Sequence, residues 1–245
     1  MGYQDKDDLE GGAVPPVTER GPWVATTTGR MWSLFDPRPS DVHLTDIAYG
    51  LSRICRYGGQ IRVDREFYSV AEHSSLMTVW MIGKGIIQTR EDALKCHLHD
   101  APEAFLGDMK TPLKALMPEY KVIETGTDAV ISEAFGLDRA TLSHAAIKEV
   151  DIRIRMDERE ALIAEPALGN QKRVVWEKTP GLTGIDVEIR GLLPFEACRN
   201  FLETFLICCD LPSSDPDLDD RLFRFQEEAR SALRDLSGPG APAPS

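Results

Sequence analysis

The stretch His97-Leu98-His99-Asp100-Ala101-Pro102-Glu103 gathers two imidazoles and two carboxylates into a short run of chain. On a helix, the adjacent His99 and Asp100 stand about 100° apart and can grip one ion from neighbouring corners. Glu103 falls one turn further along the same face. Imidazole and carboxylate together suit divalent transition metals. A carboxylate one turn from such an ion is placed to move a proton to or from a bound water. An isolated His-Asp pair is common by chance, so the rest of the chain must supply further ligands before the pair carries weight.

The flanks read as helix. Thr89 is a cap, with Glu91 and Asp92 in the first turn after it. Pro102 lacks a backbone donor and predicts a kink between Leu98 and Pro102. Gly107 ends the segment, and residues 108–112 read as a loop. Upstream, Ser40-Asp41 is expected to cap a helix running to about Tyr57 and ended by Gly58-Gly59, with Leu44, Ile47, Leu51 and Ile54 on one face. Ser69 opens a helix to about Gly83, with His73 in its first turn. Downstream, helices are expected from Pro118 to Phe135, from Asp138 to about Ala164, from Pro194 to Cys209, and from an Asp215 cap with Pro216 to about Leu236. No alternating pattern of any length appears, so the fold class is all-α. Residues 1–22 read as a mobile acidic tail, 23–40 as a segment packed on the body with a short strand, 211–236 as an accessory charged helix, and 237–245 as a disordered Gly/Pro/Ala tail.

Composition narrows the function. The chain has 245 residues, 42% of them hydrophobic, which is enough for a sizeable core. A net charge of −12 argues against binding a nucleic acid polymer. No apolar run is long enough to span a membrane, and the acidic start is unlike a secretory signal. The five cysteines, with no Cys-x-x-Cys, read as reduced thiols in a cytoplasmic protein.

Two stretches offer the missing ligands. His73 sits in Ser69-Val70-Ala71-Glu72-His73, where a core or capping histidine is the ordinary explanation. Asp151 interrupts an apolar helix face between Val150 and Ile152, where an acid is costly unless it is paired or bound to metal. With His99 and Asp100 they make two imidazoles and two carboxylates. Arg53, Arg56, Arg62 and Arg65 add a basic cluster in an acidic chain, and guanidinium suits bidentate phosphate binding.

The series Ser-Val-Ala-Glu-His, then His-Asp-Ala-Pro-Glu-Ala, then Asp resembles the HD-domain metal-dependent phosphohydrolase superfamily. It is most similar to the bacterial branch that dephosphorylates deoxyribonucleoside 5′-monophosphates. The resemblance runs from about Asp46 to Leu162 and more loosely to 210, marking 41–210 as an HD domain. It implies a single HD-domain helical bundle and one divalent transition metal ion (Mn, Co, Fe, Ni or Zn) on His73, His99, Asp100 and Asp151. Glu103 is implied as general acid/base, Arg56 and Tyr57 as the phosphate and nucleotide contacts, and Asp108 as the sugar contact. A homodimer and a small nucleotide substrate are also implied. The branch usually carries Trp where this chain has Tyr57.

Rival readings remain within reach of the same residues. A deoxynucleoside triphosphate triphosphohydrolase of the same superfamily would use added cations such as Lys110, Lys114 or Arg30. A two-metal enzyme would want more histidines before Asp151, and only His144 lies there, read as an exposed helix residue. A catalytically inactive metal- or nucleotide-binding regulatory module is the third. Trp32 or Arg30 is also expected to reach the pocket from the N-terminal segment.

Overall fold

A helix buried around most of its circumference must be wrapped on several sides, and Val70–Gly83 (α2), with Glu72, His73, Ser74, Ser75 and Thr78 buried beside its apolar residues, is one. Val70, Ala71, Met77 and Met81 are all fully buried. In the computed structural model, which describes residues 18–137, 143–164 and 181–237, α2 packs against Leu44–Arg53 (α1), Arg90–His97 (α3), Ser143–Leu162 (α7) and Pro194–Cys209 (α8). Between these lie Glu103–Leu106 (α4), Thr111–Lys114 (α5) and Pro118–Ala134 (α6), and Leu218–Asp235 (α9) follows. Two short strands, Trp23–Ala25 (β1) and Met31–Ser33 (β2), pair antiparallel with Val24 opposite Trp32. The architecture is mostly helical, in keeping with the apolar spacing.

Most buried apolar residues form one cluster, with a smaller one around Tyr68, Leu162 and Ile189. Phe201, Leu202 and Phe205 of α8 meet Leu44, Ile47 and Leu51 of α1. Phe135 and Phe225 stack face to face with centroids 3.9 Å apart. The stretch expected as an accessory helix is part of this core: α9 buries Leu218, Leu222, Phe225, Ala229 and Ala232 within it. Among the described residues, no helix is long and apolar enough to cross a membrane.

Several element ends differ from expectation. α1 starts at Leu44, and Ser40-Asp41 instead forms a tight 3₁₀ turn. The acid at the start of α1 comes from far along the chain: Glu228 of α9 accepts from the Thr45 N–H at 3.3 Å and pairs with His43 at 3.1 Å. α1 stops at Arg53 because the chain turns out to pair with 68–70, where Arg56 N–H donates to the Tyr68 carbonyl at 2.8 Å. Thr111-Pro112 opens the short α5 rather than continuing a loop, since proline is tolerated in a first turn. α9 begins two residues past Pro216 because the Asp215 carboxylate caps a local turn, accepting from Asp217 N–H at 2.9 Å.

Residues 18–22, expected within a mobile tail, are tied down. Arg20 pairs with both Asp41 and Asp36, and the Ser33 hydroxyl donates to the Arg20 carbonyl at 2.7 Å. The remainder of that tail, the start of the 138–164 helix and the tail beyond 237 lie outside the described residues. The hairpin is anchored through Thr28, whose N–H and hydroxyl both reach the buried Asp46 carboxylate. Trp32 stacks on Phe105 at 4.0 Å, and Arg30 turns to Thr28 and Asp46, so both have partners in the hairpin and its seat.

α4 sits directly on α1. A methyl at Gly50 would lie 2.9 Å from both the Cβ and the carbonyl oxygen of Ala104. Gly50→Ala is therefore expected to destabilise the fold by ~1–3 kcal/mol through overpacking. Urea denaturation should show a lower midpoint at unchanged slope; an unchanged midpoint would mean that the two helices separate freely.

Candidate metal centre

α2 is fixed at its first turn from two directions. The Ser69 hydroxyl accepts from Glu72 N–H at 3.0 Å. The buried Glu72 carboxylate accepts from the N–H groups of Arg190, Gly191 and Leu192. This clamp holds His73, which is fully buried, over the end of α3.

α3 ends at His97. His99 and Asp100 lie in the tight turn between α3 and α4 rather than on a continuous helix, because Pro102 has no N–H to extend the ladder. The turn is still closely wound: Ala101 N–H donates to Leu98 at 2.9 Å and Glu103 N–H to Asp100 at 3.0 Å.

One donor atom each from His73, His99 and Asp100 falls within a 4.8 Å group that could hold a metal ion. Asp100 Oδ2 is 3.2 Å from His99 Nε2 and 3.7 Å from His73 Nε2. Asp151, on α7, stands beside this group, with Oδ1 3.4 Å from His73 Nε2 and its other oxygen taken by Arg155 at 2.6 Å. Both Nε2 atoms are buried and make no hydrogen bond of good geometry. Their Nδ1 atoms are engaged, His99 with the Cys96 carbonyl at 2.8 Å and His73 with Glu158. Two buried imidazole nitrogens facing carboxylates fit a divalent cation, which would share Asp100 Oδ2 with Arg56 Nη1 at 3.3 Å.

The charges reinforce one another. Burial works against protonation of His99, but Asp100 and then Asp151 outweigh it and lift His99 to about 9. Burial also disfavours the Asp100 carboxylate, yet His99, His73 and Arg56 hold it well below the usual range. Asp151 is lowered in the same way, chiefly by His73 against burial. Glu103 moves the other way. It is buried, its Oε2 has no hydrogen-bond partner, and desolvation followed by Asp100 and Asp108 raises it well above an ordinary carboxyl.

The expected phosphate contact, Arg56, is nearly buried. Its Nη1 lies 3.3 Å from Asp100 and its Nη2 lies 3.4 Å from Glu158, while Nε has no partner. It borders the cluster as a bridge between two acids. The Tyr57 hydroxyl donates to Glu158, and its N–H donates to Asp108 Oδ2 at 3.3 Å. Asp108 thus braces the Arg56–Gly59 turn. Arg62 pairs with Asp64 at 2.7 Å, away from the cluster. Lys114 pairs with Glu124, and Lys110 packs over Gly58, where a side chain would meet its Cε at 2.8 Å. The side chain of His144 lies outside the described residues.

Glu158 is the residue the sequence reading passed over. It is fully buried and accepts from Tyr68 at 2.8 Å as well as from Arg56, Tyr57 and His73. Its signal was its place two helical turns after Asp151, on the same face of α7.

His97, in the motif but not in the cluster, faces the opposite way. Its ring stacks on Phe201 at 4.0 Å and its Nε2–H donates to the Phe201 carbonyl at 3.0 Å. Burial pushes it down from 6.5 to about 3. The unfolded chain therefore binds the extra proton between these values. The stability this neutral ring contributes is complete above about 6.5 and is lost as pH falls, by up to ~1.4 kcal/mol per pH unit. Denaturation midpoints should drop less steeply for His97→Gln than for wild type between about pH 7 and about pH 5. Equal slopes would count against a neutral buried His97.

No family model matches the chain. A bacterial relative, "Uncharacterized protein RCAP_rcc00048" of Rhodobacter capsulatus, is 39% identical over 116 residues, which is 47% of this chain and 59% of that protein. "Uncharacterized protein YfdR" of Escherichia coli K12 is 30% identical over 184 residues, covering 75% of this chain and 93% of the relative. On the strength of that near-complete match, the chain belongs to the same family as the Escherichia coli protein YfdR.

Proposed function

We propose that this chain is an HD-domain metal-dependent phosphohydrolase that removes the 5′-phosphate from (deoxy)ribonucleoside monophosphates. The observation that carries the reading is the meeting of His73 Nε2, His99 Nε2 and Asp100 Oδ2 beside Asp151, with the buried, unpartnered Oε2 of Glu103 three residues beyond Asp100. The motif order across three stretches of chain, matched to the HD-domain resemblance, supports it.

His73, His99 and Asp100 would hold the ion, with Asp151 completing the set. When bound, a divalent ion would lower the pKa of a coordinated water and polarise a phosphoryl oxygen. The remaining work falls to the chain. Glu103 takes a proton from the attacking water and returns one to the leaving 5′-oxygen. The water oxygen bonds to phosphorus as the P–O5′ bond breaks, releasing orthophosphate and nucleoside. Arg56, already held by Asp100 and Glu158, places positive charge beside the phosphate from a fixed position. Asp108 keeps the Arg56–Gly59 turn in place through Tyr57 N–H.

A triphosphate substrate is the second reading, because Lys110 packs over Gly58 next to the same turn. Metal-stripped protein given Mn²⁺ or Co²⁺ and a panel of nucleoside mono- and triphosphates separates the two. Orthophosphate released from monophosphates, only with metal, is the expected product. Triphosphate as product favours the second reading, and no metal-dependent release from any nucleotide overturns both. Glu103→Gln should lose roughly 10²–10⁴-fold in turnover while still binding Co²⁺; full turnover in that variant removes Glu103 from its role.

A further inference from the structure

The proposed hydrolysis gives Glu158 no step, yet four side chains among the described residues donate to its carboxylate. It is fully buried on α7, and donors from two stretches, 56–57 and 68–73, converge on its two oxygens. Oε1 accepts from His73 Nδ1–H and from the Tyr68 hydroxyl at 2.8 Å. Oε2 accepts from the Tyr57 hydroxyl and from Arg56 Nη2 at 3.4 Å.

The two oxygens serve different neighbours. An imidazole whose Nδ1–H is held by an anionic acceptor is fixed in tautomer and in ring orientation, with the Nε2 lone pair left free. That Nε2 is the buried, unpartnered atom facing Asp100 and Asp151. On the other side, Glu158 secures the Arg56–Gly59 turn. There Tyr57 stands at φ +60°, in a region that side chains of its size seldom occupy. A carboxylate present only to balance Arg56 would need one oxygen and would leave His73 alone.

We infer that Glu158 is the positioning residue of the metal centre: one carboxylate orients His73 for a cation and ties that ligand to the Arg56–Tyr57 turn. This rests on the proposed reading only in that the His73 cluster binds a divalent ion; it does not require the hydrolysis. Because the same group holds ligand and turn, cation binding and order in the turn favour each other reciprocally.

The test titrates the full-length, metal-stripped chain with Co²⁺ and follows visible absorption. Wild type is compared with Glu158→Gln and Tyr68→Phe. Glutamine keeps the shape but offers a single acceptor oxygen, and its NH₂ is itself a donor. Glu158→Gln should bind Co²⁺ about 10–100-fold more weakly. Tyr68→Phe removes one donor and leaves the His73 contact intact, so it should bind like wild type. A second measurement needs no change at Glu158: ¹⁵N-histidine NMR of the wild-type chain with and without Zn²⁺, His73 being assigned by its loss in His73→Gln. The His73 proton is expected on Nδ1 in both states. A folded Glu158→Gln with wild-type Co²⁺ affinity, or a His73 proton on Nε2, overturns the role of Glu158. Should Glu158→Gln fail to fold, the tautomer decides. A wild-type chain that takes up no Co²⁺ overturns the metal reading beneath it, whereas Co²⁺ uptake without nucleotide hydrolysis leaves the role of Glu158 standing.

Discussion

The buried charges at the centre must neutralise one another, and much of the helix arrangement follows from that need. An uncompensated ion in the interior costs several kcal/mol even after relaxation. Glu158 is fully buried and Asp100 partly so, and Arg56 lies between them with one nitrogen on each. His73 touches Glu158 on one side of its ring and faces Asp100 and Asp151 on the other. Removing any one member strands the rest. The turn after α1, the first turn of α2, the bend before α4 and the middle of α7 are thus held to one point. Arg56 and Arg155 answer these acids from fixed positions, and the pull of Asp100 and Asp151 favours a positive His99 beside them.

The parts that were legible in the residue order share a property: their signal is local. Ser69 and Thr89 sit at their helix starts and accept the expected N–H groups, so α2 and α3 begin where the capping chemistry says. Gly107 and Gly136 stop their helices with positive φ. His73, His99 and Asp100 could be brought together on paper because ligand type is rare enough to count. The hairpin at 23–33 was half visible, its aromatics marking it as packed without giving its seat on Asp46.

The parts that were not legible depend on residues far apart. The start of α1 was placed at Ser40-Asp41 because the stabilising acid, Glu228, comes from the last helix. Asp41 itself is taken by Arg20, a residue that composition alone assigned to a tail. Glu158 escaped notice because it lies in a run dense with charge, among Arg155, Asp157 and Arg159, where a solvated face is the usual explanation. Its neighbours do lie partly open while it is sealed. Nothing in the run distinguishes the buried acid except its phase relative to Asp151 and Leu162. The positions of His99 and Asp100 in a turn, rather than on a helix, follow from Pro102, whose effect begins before the proline itself.

The bond from Glu228 to the first turn of α1 has a consequence for biogenesis. A chain made from its N-terminus exposes α1 long before α9 has been synthesised, and until then the His43–Thr45 end of α1 lacks its acid. The apolar stripe of α1 likewise waits for Phe201 and Phe205 of α8. Contacts so distant in sequence close slowly, because a long loop must be ordered before they repay its entropy. The two segments that meet the cluster through Arg56 and His73 follow directly from α1. The His43–Thr45 end of α1 is therefore completed only once Glu228, 183 residues beyond Thr45, has been made.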